Sequence, residues 1–234
     1  MSVDRNRVAQ LVESLNSSDK PKIRAAVDAL TPLALQSEAL RSQLEGLLNQ
    51  AQSNRWPIAY ILGQLPEPSG AVIRSLLAGL DHREPDIRWA IALLLNRIAK
   101  SHGELVTWFM DLLTSGTVNQ KRMAIYCLRD LELEDAESLL AMVRAVCDVD
   151  ATVRVAAITS LKRRRDAGAS ERDDLLQRFL HDDDLRVRNA AAITLANLGS
   201  PSVELMQALQ AAAAGENAQL KKSAEVALAI LYKQ

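Results

Sequence analysis

Residues 182–200, "DDDLRVRNAAAITLANLGS", hold three aspartates, a Val-Arg pair and four alanines before a glycine. An acidic run ahead of an alanine-rich apolar stretch reads as one capped helix, with the glycine in the connector behind it. Leu195 serves as a ruler for the rest of the chain. Its equivalents fall at Leu30, Leu62, Leu95, Leu128, Leu161 and Leu228, at spacings of 32 to 34 residues. Self-similarity at that period is the mark of a helical repeat array.

Other columns travel with the leucine. Seven residues earlier stand Ile23, Arg55, Arg88, Lys121, Arg154, Arg188 and Lys221, basic in six of seven units. Four residues earlier the position is always apolar and mostly small, as at Ala26, Ile58, Ala124 and Ala191. Three residues later it is Leu or Ile except at Arg164. Offsets of 3 and 4 place these columns on one face of a helix. A second amphipathic segment precedes each such helix: Val8, Leu11, Val12 and Leu15 in the first unit, and Leu175, Leu176, Phe179 and Leu180 in the sixth. Pro21, Pro85 and Pro201 stand near helix starts, and Gly103, Gly168, Gly199 and Gly215 in connectors. The expected architecture is all-α, a single domain over residues 1–234. Its repeats run over about 3–36, 37–67, 68–101, 102–132, 133–166, 167–199 and 200–234.

Composition agrees with helices. Aromatics make up only 3% of residues while Leu and Ala abound, which argues against a β-sandwich. A net charge of −1 weighs against a dedicated nucleic-acid binder. Cys127 and Cys147 offer neither a disulfide framework nor zinc spacing and read as small apolar core residues. The N-terminal stretch lacks a signal-type apolar core and no apolar run reaches membrane-span length, so the expected compartment is the cytoplasm.

"VRNAAAITLANLG" at 187–199, "IRWAIALLLNRIA" at 87–99 and "VRVAAITSLKRR" at 153–164 resemble HEAT-like repeats, in the short form of phycobilisome-lyase-type proteins. The resemblance covers essentially the whole chain. It implies a right-handed α-solenoid of about seven two-helix HEAT-like repeats, with the second helices lining a concave side. It also implies a ladder that sets each column base beside an acid. Asp19, Glu84, Asp150 and Asp184, four residues before the base, stand at the matching position. An aspartate of the 182–184 cluster is expected to cap its helix, and Pro32 to kink the first unit's second helix.

Residues outside the structural columns are where function is to be sought. At 100° per residue, offsets 3, 7 and 10 from the base cluster near 300°, whereas offsets 1, 5 and 8 cluster near 107° and must face outward. The resemblance makes that outward face the groove. The chain has eight aromatic side chains, and four of them, Trp56, Tyr60, Trp89 and Tyr126, fall on this face in three consecutive units. Arg122, Arg129 and Lys162 share it, and with the next outward offset its bases outnumber acids seven to three. An aromatic stripe beside arginines offers rigid contact area and directional hydrogen bonding. The run "KRRR" at Lys162–Arg165 reads either as a surface ion-pair cluster with "ERDD" at 171–174 or as an extension of the groove's positive edge.

No Gly-rich phosphate loop, nucleophile elbow or paired metal-binding histidine occurs, so neither catalysis nor a cofactor is expected. The expected function is a non-catalytic scaffold that binds an acidic protein or peptide through the groove. Two alternatives rest on the resemblance. One is phycobilin-lyase-like tetrapyrrole handling, with the rings holding the tetrapyrrole and Arg122 and Arg129 meeting its propionates. The other is duplex DNA on the concave face, as in HEAT-like DNA glycosylases. The near-neutral charge weighs against DNA. Deoxyhypusine hydroxylase chemistry is set aside, because the chain lacks the His-Glu pairs of a di-iron site.

Overall fold

A computed structural model describes residues 5–50, 54–132, 136–161, 175, 177–179, 181–198 and 201–233. Every regular element among them is an α-helix. The chain divides into two compact units, residues 1–105 and 106–234.

The first unit contains α1 (Arg5–Ser14), α2 (Lys20–Gln36), α3 (Glu38–Leu48), α4 (Arg55–Gly63), α5 (Gly70–Gly79) and α6 (Pro85–Ala99). Here α2 packs on α4 and α4 on α6, while α1, α3 and α5 each pack against one or two of these helices. The leucine ruler explains the stacking. Leu30, Leu62 and Leu95 are buried, as are Ala26, Ile58 and Ile91 one turn before them. Each such leucine contributes about 2 kcal/mol by leaving water. Pro21 and Pro85 occupy first-turn positions, where a missing N–H costs nothing. Pro32 lies inside α2, yet the helix runs on to Gln36.

Close approach in this stack depends on one glycine in particular. A Cβ on Gly63, at the end of α4, would stand 2.8 Å from Leu76 Cδ1 of α5 and 3.1 Å from Leu94 Cδ2 of α6. Three helices converge where that side chain is missing.

The second unit takes in most of α7 (Glu104–Ser115), then α8 (Val118–Asp130), α9 (Ala136–Ala145), α10 (Ala151–Leu161), α11 (Leu185–Leu198), α12 (Val203–Ala214) and α13 (Ala218–Leu231). The stack α8–α10–α11–α13 continues the same logic, with α9 against α10 and α12 against α13. Ala124, Ala157, Ala191 and Ala224 are at most 1% exposed, which lets neighbouring backbones come close. Thr194 Oγ donates to the Ile158 carbonyl across that contact at 3.2 Å, so a buried hydroxyl joins α11 to α10.

The base column forms a ladder in this unit, with different acids from those expected. Lys121 Nζ lies 2.7 Å from Asp148 Oδ2. Arg154 holds Asp182 through two hydrogen bonds, Nε to Oδ2 at 2.9 Å and Nη2 to Oδ1 at 2.7 Å. Each rung therefore joins a base to an acid 27 or 28 residues later. Asp150 and Asp184, expected as ladder acids, are helix caps. Asp150 accepts from the Thr152 amide at 2.8 Å, and Asp184 from the Arg186 amide at 2.8 Å. The physical reason is reach. An acid four residues before the base sits at the helix start, where unpaired N–H groups claim its oxygens. The acid two residues earlier still lies in the connector and faces the preceding helix. Glu84 bonds to Lys20 rather than to its own unit's Arg88, and Arg88 donates to the His82 carbonyl at 2.6 Å. Asp19 makes no side-chain cap bond.

Burial alone would raise the Asp182 carboxyl's pKa, but the Arg154 guanidinium and the Asp184 amide hold it below the ordinary carboxylate range. Arg186 and the backbone amides beside it hold Asp184 lower still, at about 2. Both acids stay ionised in the folded chain.

Candidate partner-binding surface

The outward face is set by the same helical geometry that buries the leucines. Its residues at offsets 1 and 5 are all exposed or half-buried, whereas every residue of the small apolar column four before the leucine is buried. Among the described residues, Gly63 and Ala196 are the buried exceptions at offset 8.

In the first unit, Trp56 and Tyr60 of α4 are half-buried and line a cleft of about 170 Å³ together with Lys20, Arg24, Asp28 and Asp86. Lys20 reaches over this cleft from the start of α2 to the start of α6. Its Nζ donates to Asp86 Oδ1 at 2.8 Å and is paired with Glu84 as well. Those hydrogen bonds, Asp86's first, raise the lysine's pKa, and Lys20 in turn lowers that of Asp86. The cleft is thus lined by two bases and two acids, with the lysine already neutralised. On its other side the Trp56 ring meets the His82 ring edge-on, with centroids 5.9 Å apart. Burial pushes the His82 pKa down. Its Nδ1 accepts the Glu84 amide at 3.1 Å, so the neutral ring carries its proton on Nε2.

Trp89 and Leu93 stand one turn apart on α6 and are 41% and 64% exposed. They form the most open apolar part of this face in the first unit. Trp89 does not line the Trp56–Tyr60 cleft.

In the second unit, Arg122, Tyr126 and Arg129 follow one another along α8, all half-buried. The Arg129 guanidinium lies 5.0 Å from the Tyr126 ring centre, and its Nε donates to Asp130 Oδ1 at 2.7 Å. A stacked, ion-paired arginine is held in place before any partner arrives. Arg122 Nε is buried without a hydrogen-bond partner among the described residues. Lys162 and the run through Arg165 lie outside the described residues.

Sequence reasoning placed the outward aromatics but missed Lys20, Asp86 and His82, and it gave Glu84 a ladder role beside its own unit's base in place of its pairing with Lys20. Their meeting joins side chains up to 66 residues apart, and no periodic column passes through the connectors that carry them. Among the described residues no cluster of His, Cys, Asp and Glu could hold a metal ion, and no helix is long and apolar enough to cross a membrane.

Comparison with known proteins adds three findings. A family model for HEAT repeats matches residues 106–196 and 137–229, together more than half of the chain. No curated protein sequence matches it. Among solved structures, similarity is found to a chain of the structure in which Kap95p binding induces the switch loops of RanGDP to adopt the GTP-bound conformation. That match has 22% identity and a TM-score of 0.64, and covers 97% of this chain and 33% of that one. The protein therefore spans about a third of that relative's length. The YibA protein of E. coli matches at 13% identity with a TM-score of 0.52, covering 100% of this chain and 99% of that one. An archaeal HEAT-like repeats protein from Thermococcus onnurineus NA1 matches at 13% identity with a TM-score of 0.49, covering 96% and 98%. At such identities the likeness is one of fold.

Proposed function

The chain belongs to the HEAT-repeat family, an α-solenoid fold, and on that premise we propose that it is a non-catalytic scaffold that binds a protein or peptide through the outward face of its second helices. HEAT-type repeat folds commonly serve as protein-binding scaffolds, because stacked helices present long continuous surfaces. The observation that carries the reading is the Trp89–Leu93 pair. Large apolar side chains this exposed, side by side on one helix face, are the usual mark of a contact surface.

In the first unit Trp56, Tyr60 and Trp89 serve as anchors. In the second, Tyr126 provides the ring, with Arg122, Arg129 and, in the next repeat, Lys162 meeting carboxylates of the partner.

The test is affinity capture with the wild-type chain, a Trp89→Ala/Leu93→Ser variant and an Arg122→Ala variant, each with unchanged helical circular dichroism. The reading expects a defined set of partners lost from both variants and rich in exposed acidic segments. Identical captures by all three chains would end it.

A further inference from the structure

One rung of the first unit lacks its acid, and its base finds no other partner among the described residues. The acid of a rung stands six residues before the next base. Asp148, six before Arg154, serves Lys121, and Asp182, six before Arg188, serves Arg154. The same count back from Arg88 lands on His82, which is therefore the acid position for Arg55. Counted back from Arg55 it lands on Asn49, where the column holds Ile23 and needs no acid. His82 does half of an aspartate's work. Its Nδ1 accepts the Glu84 amide at 3.1 Å, as Asp148 Oδ1 accepts the Asp150 amide at 2.8 Å and Asp182 Oδ1 the Asp184 amide at 3.0 Å. The other half is missing, because the neutral ring's second nitrogen carries a proton and cannot accept from a guanidinium.

Arg88 and Arg188 also meet no acid, with Ser115 and Gly215 at its position, but both donate to carbonyls: Arg88 to His82 at 2.6 Å and Arg188 to Phe179 at 2.9 Å. Among the described residues Arg55 makes neither kind of bond. It is exposed and lines a cleft of about 880 Å³ bounded by the end of α3, the start of α4 and one side of α5. Arg74 of α5 lines the same cleft, exposed and likewise without an ion pair among the described residues. Asp81 is the acid in the lining, and it pairs with neither arginine. The Trp56 ring, Leu48 and Ala71 add apolar surface.

We propose that this cleft binds a small organic carboxylate whose carboxyl group takes the place of the missing rung acid on Arg55. The chain itself displays the geometry of that contact. Arg154 holds Asp182 with Nε to Oδ2 at 2.9 Å and Nη2 to Oδ1 at 2.7 Å, the two-bonded fork that a planar guanidinium forms with a carboxylate. Arg74 adds a second positive charge, and the Trp56 ring offers a flat surface to the ligand's carbon body. The cleft's volume lies within the roughly 300–1,000 Å³ of small-molecule pockets, more than a single acidic side chain of a partner would fill. The site stands apart from the partner-binding reading, in which Arg55 and Arg74 take no part; Trp56 belongs to both.

Isothermal titration calorimetry tests it, with the full chain titrated with benzoate and with succinate. Inorganic phosphate and a blocked Glu/Gly peptide are run beside them. Saturable binding of at least one of the two carboxylates is expected. Arg55→Ala should weaken it by about tenfold or more, with helical circular dichroism unchanged because the side chain makes no bond in the folded chain. Arg55→Lys keeps the charge but not the fork and should weaken binding by about threefold or more. His82→Asp supplies the rung acid from within and should abolish binding. Arg41→Ala, exposed on α3 outside the cleft, should bind as wild type. Absence of binding by both carboxylates, binding of phosphate or the peptide without them, or undiminished binding in either Arg55 variant or in His82→Asp would each overturn the proposal.

Discussion

Arg154 and Asp182 form a side-chain pair that is 12% and 1% exposed, with two short hydrogen bonds. Removing one partner leaves the other charge buried and unpaired, which costs far more than a surface ion pair is worth. Asp182→Ala is expected to destabilise the chain by about 3–5 kcal/mol, measured by chemical denaturation followed by circular dichroism. Arg186→Ala, whose side chain is 60% exposed, should change stability by less than about 1 kcal/mol in the same assay. The acid limb follows from the lowered carboxyls. Because Asp182 and Asp184 titrate below their unfolded values, the stability they contribute is complete at neutral pH. It is lost progressively as pH falls from about 5 toward 2. Thermal melts between those limits should show that loss, and Asp182→Ala should flatten it. The base of each rung was legible in the sequence because it recurs in step with the buried leucine. The acid was misread by two residues, since Asp150 and Asp184 offer the same chemistry closer to the helix, and only geometry shows that the helix start claims them.

α8 begins with a complete capping box: Thr117 Oγ accepts the Gln120 amide at 3.3 Å and the Gln120 side chain accepts the Thr117 amide at 3.0 Å. Thr117→Ala should cost about 1 kcal/mol, read as a lowered denaturation midpoint. α2 presents the opposite case. Pro32 is exposed inside a continuous helix and deprives one carbonyl of its donor, so Pro32→Ala leaves no cavity and should stabilise by about 1–3 kcal/mol in the same assay. The helices themselves were readable because burial repeats every three to four residues and proline marks several starts. The cleft under Lys20 was not, because it depends on two helix starts converging over a third helix, a relation that no single amphipathic pattern contains.

Contacts in each unit run between neighbouring helices along the stack, so cooperation extends only as far as adjacent interfaces carry it. Trp56 and Trp89 report on the first unit and Trp108 on the second. Urea curves followed by tryptophan emission and by helical circular dichroism are expected to separate, and coincident curves would show a single cooperative transition instead. The ladder adds a rule of grammar at this scale. Each rung is shared between one hairpin and its successor, so no hairpin owns both halves of a rung. Excising residues 122–154 as one cassette would bring Lys121 into the place of Arg154, opposite Asp182, and the two remaining ladder charges would have each other as partners. A cut of half that length would orphan a base and an acid together. Such an array can lengthen or shorten by whole words while its electrostatic syntax survives, and a slipped letter is felt at once on both sides of the break.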